Sequence, residues 1–242
     1  GIGDLVLKIL YFRGDVMGHD IAAEIKLPFN GVLDDIMESL KHDKLIEILD
    51  SRGLGAGGYR YQVTGAGIKR ALDALERTQY AGAAPVPLDR YIKAINAQKR
   101  EDASITEPQL LQVMENLIIS KDMLDKIGPA ANSGTSIFLY GPPGNGKTTM
   151  SEAIGRVILG EDLWIPYSID VDGQIIQIFD SVNHELADDA EPLRYGTGEI
   201  PDPRWVRIKR PIIIVGGELT LENLDLIYNP ISKFYEAPYQ VK

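Results

Sequence analysis

The chain has 242 residues, 44% hydrophobic and 25% charged, a balance that supports an ordinary buried core and excludes wholesale disorder. It contains no cysteine, which excludes a disulfide scaffold, a thiolate metal site and a cysteine nucleophile. Its 25 basic and 35 acidic residues leave a net charge of −10, which argues against nucleic-acid binding over the whole surface.

Taken in chain order, Ile2, Leu5, Val6, Ile9 and Leu10 recur at three- and four-residue spacing and predict a first helix. A second helix is expected at about 19–26, after His19-Asp20 and before Leu27-Pro28. A third, at about 30–42, aligns Val32, Leu33, Ile36, Met37 and Leu40, with Asn30 placed as its cap. The period then changes to two. Ile46 and Ile48 flank Glu47, and Tyr59, Tyr61 and Val63 alternate with Arg60, Gln62 and Thr64, the pattern of two strands. The glycine-rich stretch 51–58 between them reads as a flexible tip, and Thr64 as the cap of a helix holding Ile68, Ala71, Leu72 and Leu75.

Over residues 2–78 this order resembles a winged helix-turn-helix domain, α+β in class, with 30–42 in the place of the recognition helix and 51–58 as the wing. In such domains DNA recognition needs donors on that helix and cations for the phosphates. Here Asp34, Asp35, Glu38 and Asp43 stand against Lys41 and Lys44, and Arg52 and Arg60 at the wing are too few to reverse the field. The charge therefore disfavours DNA and favours a docking or regulatory module.

Ala81-Gly-Ala-Ala-Pro-Val-Pro87 has the composition of a linker, which divides the chain into a winged-helix domain at 1–80, a linker at 81–104 and a further domain at 105–242. Thr106-Glu-Pro-Gln109 reads as a capping box for a helix over 110–118, Ser120 as the cap of a second, and Ile127-Gly128-Pro129 as the lead toward a strand. Ile137-Phe-Leu-Tyr140 is an apolar run suited to a buried parallel strand.

Gly141-Pro-Pro-Gly-Asn-Gly-Lys-Thr148 then matches G-x-x-x-x-G-K-[ST], and Met150, Ala153, Ile154, Val157 and Ile158 continue as a helical face. Gly141, Gly144 and Gly146 permit backbone amides to wrap phosphate oxygens, and the following helix presents free N–H groups and its positive dipole end. Lys147 supplies a mobile charge for the outer phosphates, and Thr148 a hydroxyl for Mg²⁺.

The Pro142-Pro143 pair with Gly144-Asn145-Gly146-Lys147-Thr148-Thr149 resembles the phosphate loop of AAA+ ATPases. The resemblance covers residues from about 105 onward and implies an α/β fold, the front of a P-loop αβα module. It further implies ATP with Mg²⁺ on residues 141–149, with Lys147 catalytic and Thr148 the metal ligand, and a homo-oligomeric ring. By the same resemblance Ile119 and Ile127 are adenine-pocket candidates.

Hydrolysis also needs a strand closed by acids. Asp170-Val-Asp172-Gly173 reads instead as a hairpin turn into 174–179, and Pro211-Ile-Ile-Ile-Val-Gly-Gly-Glu218 has glycines where a metal-side acid would stand, leaving Glu218 as candidate base. The stretch after the loop therefore reads as inserted β-hairpins, with the acidic strand expected beyond Lys242 in a longer protein. The alternation in Arg204-Trp-Val-Arg-Ile-Lys-Arg210 suits a solvated sheet edge, and His19, His42 and His184 lack metal-ligand spacing. No apolar run reaches the roughly 18 residues of a membrane span, so a cytoplasmic setting is expected. The combined expectation is an ATP hydrolase that remodels a partner. The alternative is a DNA-binding regulator under a nucleotide-controlled switch.

Overall fold

A computed structural model describes residues 1–51, 55–98, 105–115, 119–133, 137–159, 162–187, 202–211, 227–229 and 234–236. The first part runs α1 (Ile2–Arg13), β1 (Asp15–Met17), α2 (Gly18–Ile25), α3 (Asp34–His42), β2 (Ile46–Ser51), β3 (Tyr59–Val63) and α4 (Gly65–Arg77). The strands form an antiparallel sheet in the order β1-β3-β2. That order of helices and strands is a winged-helix arrangement.

Its core is the apolar stripe of α1, with Leu5, Val6, Leu7, Ile9 and Leu10 buried, closed by Ile21, Ile25, Leu33, Met37, Leu40, Ile46, Tyr61 and Ala71. Thr64 caps α4 as expected, its Oγ1 accepting from Gly67 N–H at 3.1 Å. The third helix differs from the expectation. It starts at Asp34 rather than Asn30, because Asn30 is extended (ψ 131°) and Gly31 takes φ 79°, a left-handed value that breaks the helical run. Strand β1 went unpredicted because three residues carry too little alternation to stand out.

Of the expected linker at 81–104, residues 81–98 are described, and they hold buried and regular structure. Ala83, Ala84 and Val86 are buried, and β4 (Val86–Pro87) leads directly into α5 (Leu88–Ala97). β4 pairs in parallel with β6 (Ser168–Val171), which forms a hairpin with β7 (Gln174–Gln177). The turn is the expected one, Asp172 and Gly173 taking φ of 52° and 81°, with Gly173 N–H donating to Asp170 Oδ1 at 2.8 Å. β5 (Asp162–Pro166) pairs antiparallel with β8 (Trp205–Lys209), and Trp205 packs with Val86 and Ala94, flanked by Tyr91 and Trp164. β9 (Ile227–Asn229) and β10 (Phe234–Glu236) form a further antiparallel pair.

The β6–β7 hairpin seats on the winged helix. Ile175 packs against its core, Ser168 Oγ donates to Ala83 O at 3.1 Å, and Lys26 Nζ lies 4.8 Å above the Tyr167 ring. Between β4–α5 and β5 the chain passes through a separate middle body. Its core is built from α6 (Glu107–Val113), α7 (Lys121–Asn132) and α8 (Lys147–Leu159) through Leu110, Ile127, Ala131, Met150, Ala153 and Ile154. The capping box holds: Gln109 Oε1 accepts from Thr106 N–H at 3.0 Å and from its hydroxyl at 2.9 Å. Ile127-Gly128-Pro129 does not lead out to a strand but lies inside α7, where burial of Ile127 and Ala131 outweighs the hydrogen bond Pro129 cannot donate. Among the described residues no helix is long and apolar enough to cross a membrane.

Candidate phosphate-binding site

The loop between residues 137–140 and α8 is built on glycine. Gly141, Gly144 and Gly146 take φ of 152°, 84° and 71°, values that L side chains rarely adopt, while no atom lies within 4 Å of where a Cβ would stand. The requirement for glycine is thus conformational, and the space around the turn stays open to a ligand. Helix α8 begins at once with Lys147. Its first internal bond runs from Met150 N–H to Gly146 O at 2.9 Å, so the amides of Lys147, Thr148 and Thr149 stand ahead of it at the positive end of the helix.

Lys147 folds back over the turn, its Nζ donating to Gly141 O at 3.0 Å and Pro142 O at 2.8 Å. The ammonium is therefore held at the loop by these two carbonyls. Pro142, Pro143, Asn145, Thr148 and Thr149 are solvent-exposed on the same turn. The arrangement offers backbone donors, one cation and two hydroxyls to an anion. For a metal it offers hydroxyls and no carboxylate, and no cluster of three or more His, Asp or Glu that could hold an ion occurs among the described residues.

Among the described residues the strand expected ahead of the loop has no paired neighbour. Residues 137–140 lie in none of the sheets formed by the described residues, and Phe138 and Tyr140 are each 85% exposed, their rings stacked at 6.0 Å. A buried parallel strand needs neighbours on both edges and cover on both faces, and only Leu139 packs inward. Ile127 is buried among helix-packing residues and Ile119 is packed beside it, so both belong to the middle body's core. Glu218 and the apolar run before it lie outside the described residues.

The basic strand is committed to ion pairs: Arg204 to Asp202 at 2.7 Å, Arg207 to Asp162 and Lys209 to Glu185. On the winged helix Asp35 and Glu38 are exposed along α3, and Arg60 is engaged by Asp15 at 2.9 Å and Asp50 at 3.8 Å. Arg52 lies outside the described residues. Among the histidines, His19 meets Gly57 O at 3.1 Å and His184 stacks on Phe179.

Residues that no pattern singled out also take part. Lys8, an isolated cation within the apolar run Leu5–Leu10, is buried, and the side-chain amides of Gln98 and Asn132 each bind a backbone residue far away in sequence.

No protein-family model matches the chain, and no curated protein matches it in sequence. Among solved structures, the crystal structure of Bacillus subtilis PadR in complex with operator DNA is similar at 18% identity and a TM-score of 0.30. That likeness spans 63% of this chain and 90% of the PadR chain, at a score too low to assign a function.

Proposed function

We propose that this chain binds ATP with Mg²⁺ on Gly141–Thr149 as the nucleotide-binding front of an AAA+ ATPase. The supporting observation is the three-glycine turn with left-handed φ values running straight into the N-terminus of α8, with Lys147 Nζ held over it. In this reading the amides of the turn and of residues 147–149 receive the phosphates, Lys147 exchanges its two carbonyl partners for phosphate oxygens, and Thr148 gives its hydroxyl to Mg²⁺. Bound ATP·Mg²⁺ supplies the phosphoryl group that hydrolysis transfers to water. In the same reading the chain works as a homo-oligomeric ring and uses the winged helix to dock or regulate a partner in the cytoplasm.

Calorimetric titration with ATP·Mg²⁺ tests this reading. Saturable binding that Lys147→Ala abolishes is the expected result, and an unchanged affinity in that variant refutes the assignment.

A second reading, a DNA-binding regulator with a nucleotide-controlled switch, draws on the winged-helix arrangement itself. Its test is duplex DNA binding by the whole chain across a salt series, where specific, steeply salt-dependent affinity supports it. No binding at low salt removes it.

A further inference from the structure

Two side-chain amides bracket the point where the chain passes into the middle body. Gln98, following α5, donates from Nε2 to Trp164 O at 3.0 Å and accepts from Trp164 N–H at 2.7 Å. Asn132, the last residue of α7, treats Ile105 the same way, donating to its carbonyl at 3.0 Å and accepting from its N–H at 2.6 Å. Each amide occupies both hydrogen-bonding groups of one backbone residue, as a neighbouring strand would. Gln98 thus fastens the end of α5 to β5, the strand next in sequence after α8. Asn132 fastens the start of the middle body to the end of α7, the helix that precedes the phosphate loop.

We propose that Gln98 is a positioning residue through which occupancy of the phosphate loop is transmitted from α8, by way of Trp164, to α5 and β4, and so to the β6–β7 hairpin seated on the winged helix. The proposal rests on the ATP-binding reading above. Helix α8 has 13 residues, a rod of about 20 Å, with the phosphate loop at one end and β5 two residues beyond the other. A shift of that rod as Lys147 leaves its carbonyls is delivered to β5. β5 is paired to β8 along its whole length, and Tyr167 joins it to the β6–β7 hairpin that presents Ile175 to the winged-helix core. Gln98 decides whether that movement reaches α5 and β4 or is lost as slack between β5 and its support.

The chain provides its own reporter. Its two tryptophans, Trp164 and Trp205, both lie in the cluster with Val86 and Ala94, and neither belongs to the phosphate loop. The experiment uses the full chain and reads Trp emission during an ATP·Mg²⁺ titration, with affinity measured separately by calorimetry. The expected result is an emission change that saturates with the calorimetric binding curve. Gln98→Ala should keep the affinity within about threefold, a difference below 1 kcal/mol, while most of the emission change disappears. Gln98→Glu, which keeps the acceptor for Trp164 N–H but loses the donor, should retain part of it. Asn132→Ala provides an independent cut on the other side of residues 99–104 and should also diminish the response, whether or not Gln98→Ala folds. Binding without any emission change in the unaltered chain overturns the proposal and leaves the ATP reading standing. A full response in Gln98→Ala overturns it as well. No calorimetric binding at all removes both.

Discussion

The ammonium of Lys8 on α1 donates to the backbone carbonyl of Tyr80, 72 residues downstream, at 3.1 Å, and to that of Thr78 at 2.6 Å. One side chain thereby ties the first helix to the exit of the fourth. The group is buried, and loss of solvent is the main reason its pKa falls from 10.5 to about 8, with Asp4 acting in the opposite direction. Between pH 8 and pH 10.5 the unfolded chain therefore holds a proton at this position that the folded chain has released. Stability from this group rises with pH across that window, by roughly 3 kcal/mol in all. Relative to Lys8→Met, the unaltered protein should gain denaturation free energy from pH 7 to 9.5. A difference between the two that stays flat with pH contradicts this. The series stops short of pH 10 because burial pushes the Tyr61 hydroxyl up to about 12, so that its ionisation in the unfolded chain then works against the fold.

The glycines of the phosphate loop act through backbone conformation. Gly144→Ala and Gly146→Ala meet no neighbouring atom, so their cost is the left-handed φ alone, about 1–2 kcal/mol. Thermal denaturation should record a loss of that size, while ATP·Mg²⁺ affinity falls by about tenfold or more because the turn relaxes away from the amides. Equal affinity in both variants would mean that the turn geometry is not what binds.

Gly67 presents the opposite case. A Cβ there would stand 2.0 Å from Leu45 O and 2.6 Å from Val63 Cγ2, so α4 approaches the β2–β3 side of the sheet too closely for any side chain. Gly67→Ala should cost about 3 kcal/mol or more, because backbone rather than a flexible side chain must yield. Gly65→Ala, with open space around it, should be neutral or slightly stabilising. Chemical denaturation of the pair separates crowding from helix propensity, and similar stabilities in the two would refute the close approach.

Asp35 and Glu38 put exposed negative charge on α3, which should weaken any contact of that face with duplex DNA. Replacing Asp35 and Glu38 together by Lys changes the exposed face by four charge units and should raise low-salt duplex affinity by about tenfold or more. Fluorescence anisotropy with a random duplex reads this directly. Tight, sequence-selective binding by the unaltered chain would show instead that the acidic face is not the one that meets DNA.

The sequence carried the features that are local. The stripe of α1, the Thr64 cap, the Thr106–Gln109 box, the Asp172-Gly173 turn and the glycines of the phosphate loop each depend on neighbours within a few residues, and each leaves a pattern of residue types. What it concealed is non-local. Ala83 and Ala84 read as linker because they are small, yet small side chains are what the close contact of this segment with Ile25 O and Ser168 uses. β4 has two residues and its partner β6 begins more than eighty positions later, so no periodicity announces the pairing. Gln98 and Asn132 are ordinary surface amides until the backbones they bind are in place. Phe138 and Tyr140 show the converse. Their run reads as a buried strand, but an apolar run by itself provides neither neighbouring strands nor cover, and among the described residues no strand pairs with it.

The Gln98–Trp164 clasp brings together two points 66 residues apart in sequence, and joining the ends of so long a flexible loop costs about 4 kcal/mol of chain entropy. If the middle body folds first, that entropy is already spent when β5 meets α5. Its own three-helix core makes this order natural, and the late-forming contacts are then the parallel β4–β6 pair and the seat of Ile175. Because its two ends meet at one place, the middle body can also lengthen, shorten or be exchanged without changing the path of the chain on either side. A unit attached in this way is a removable part, and the winged helix with the β6–β7 hairpin is the frame that holds it.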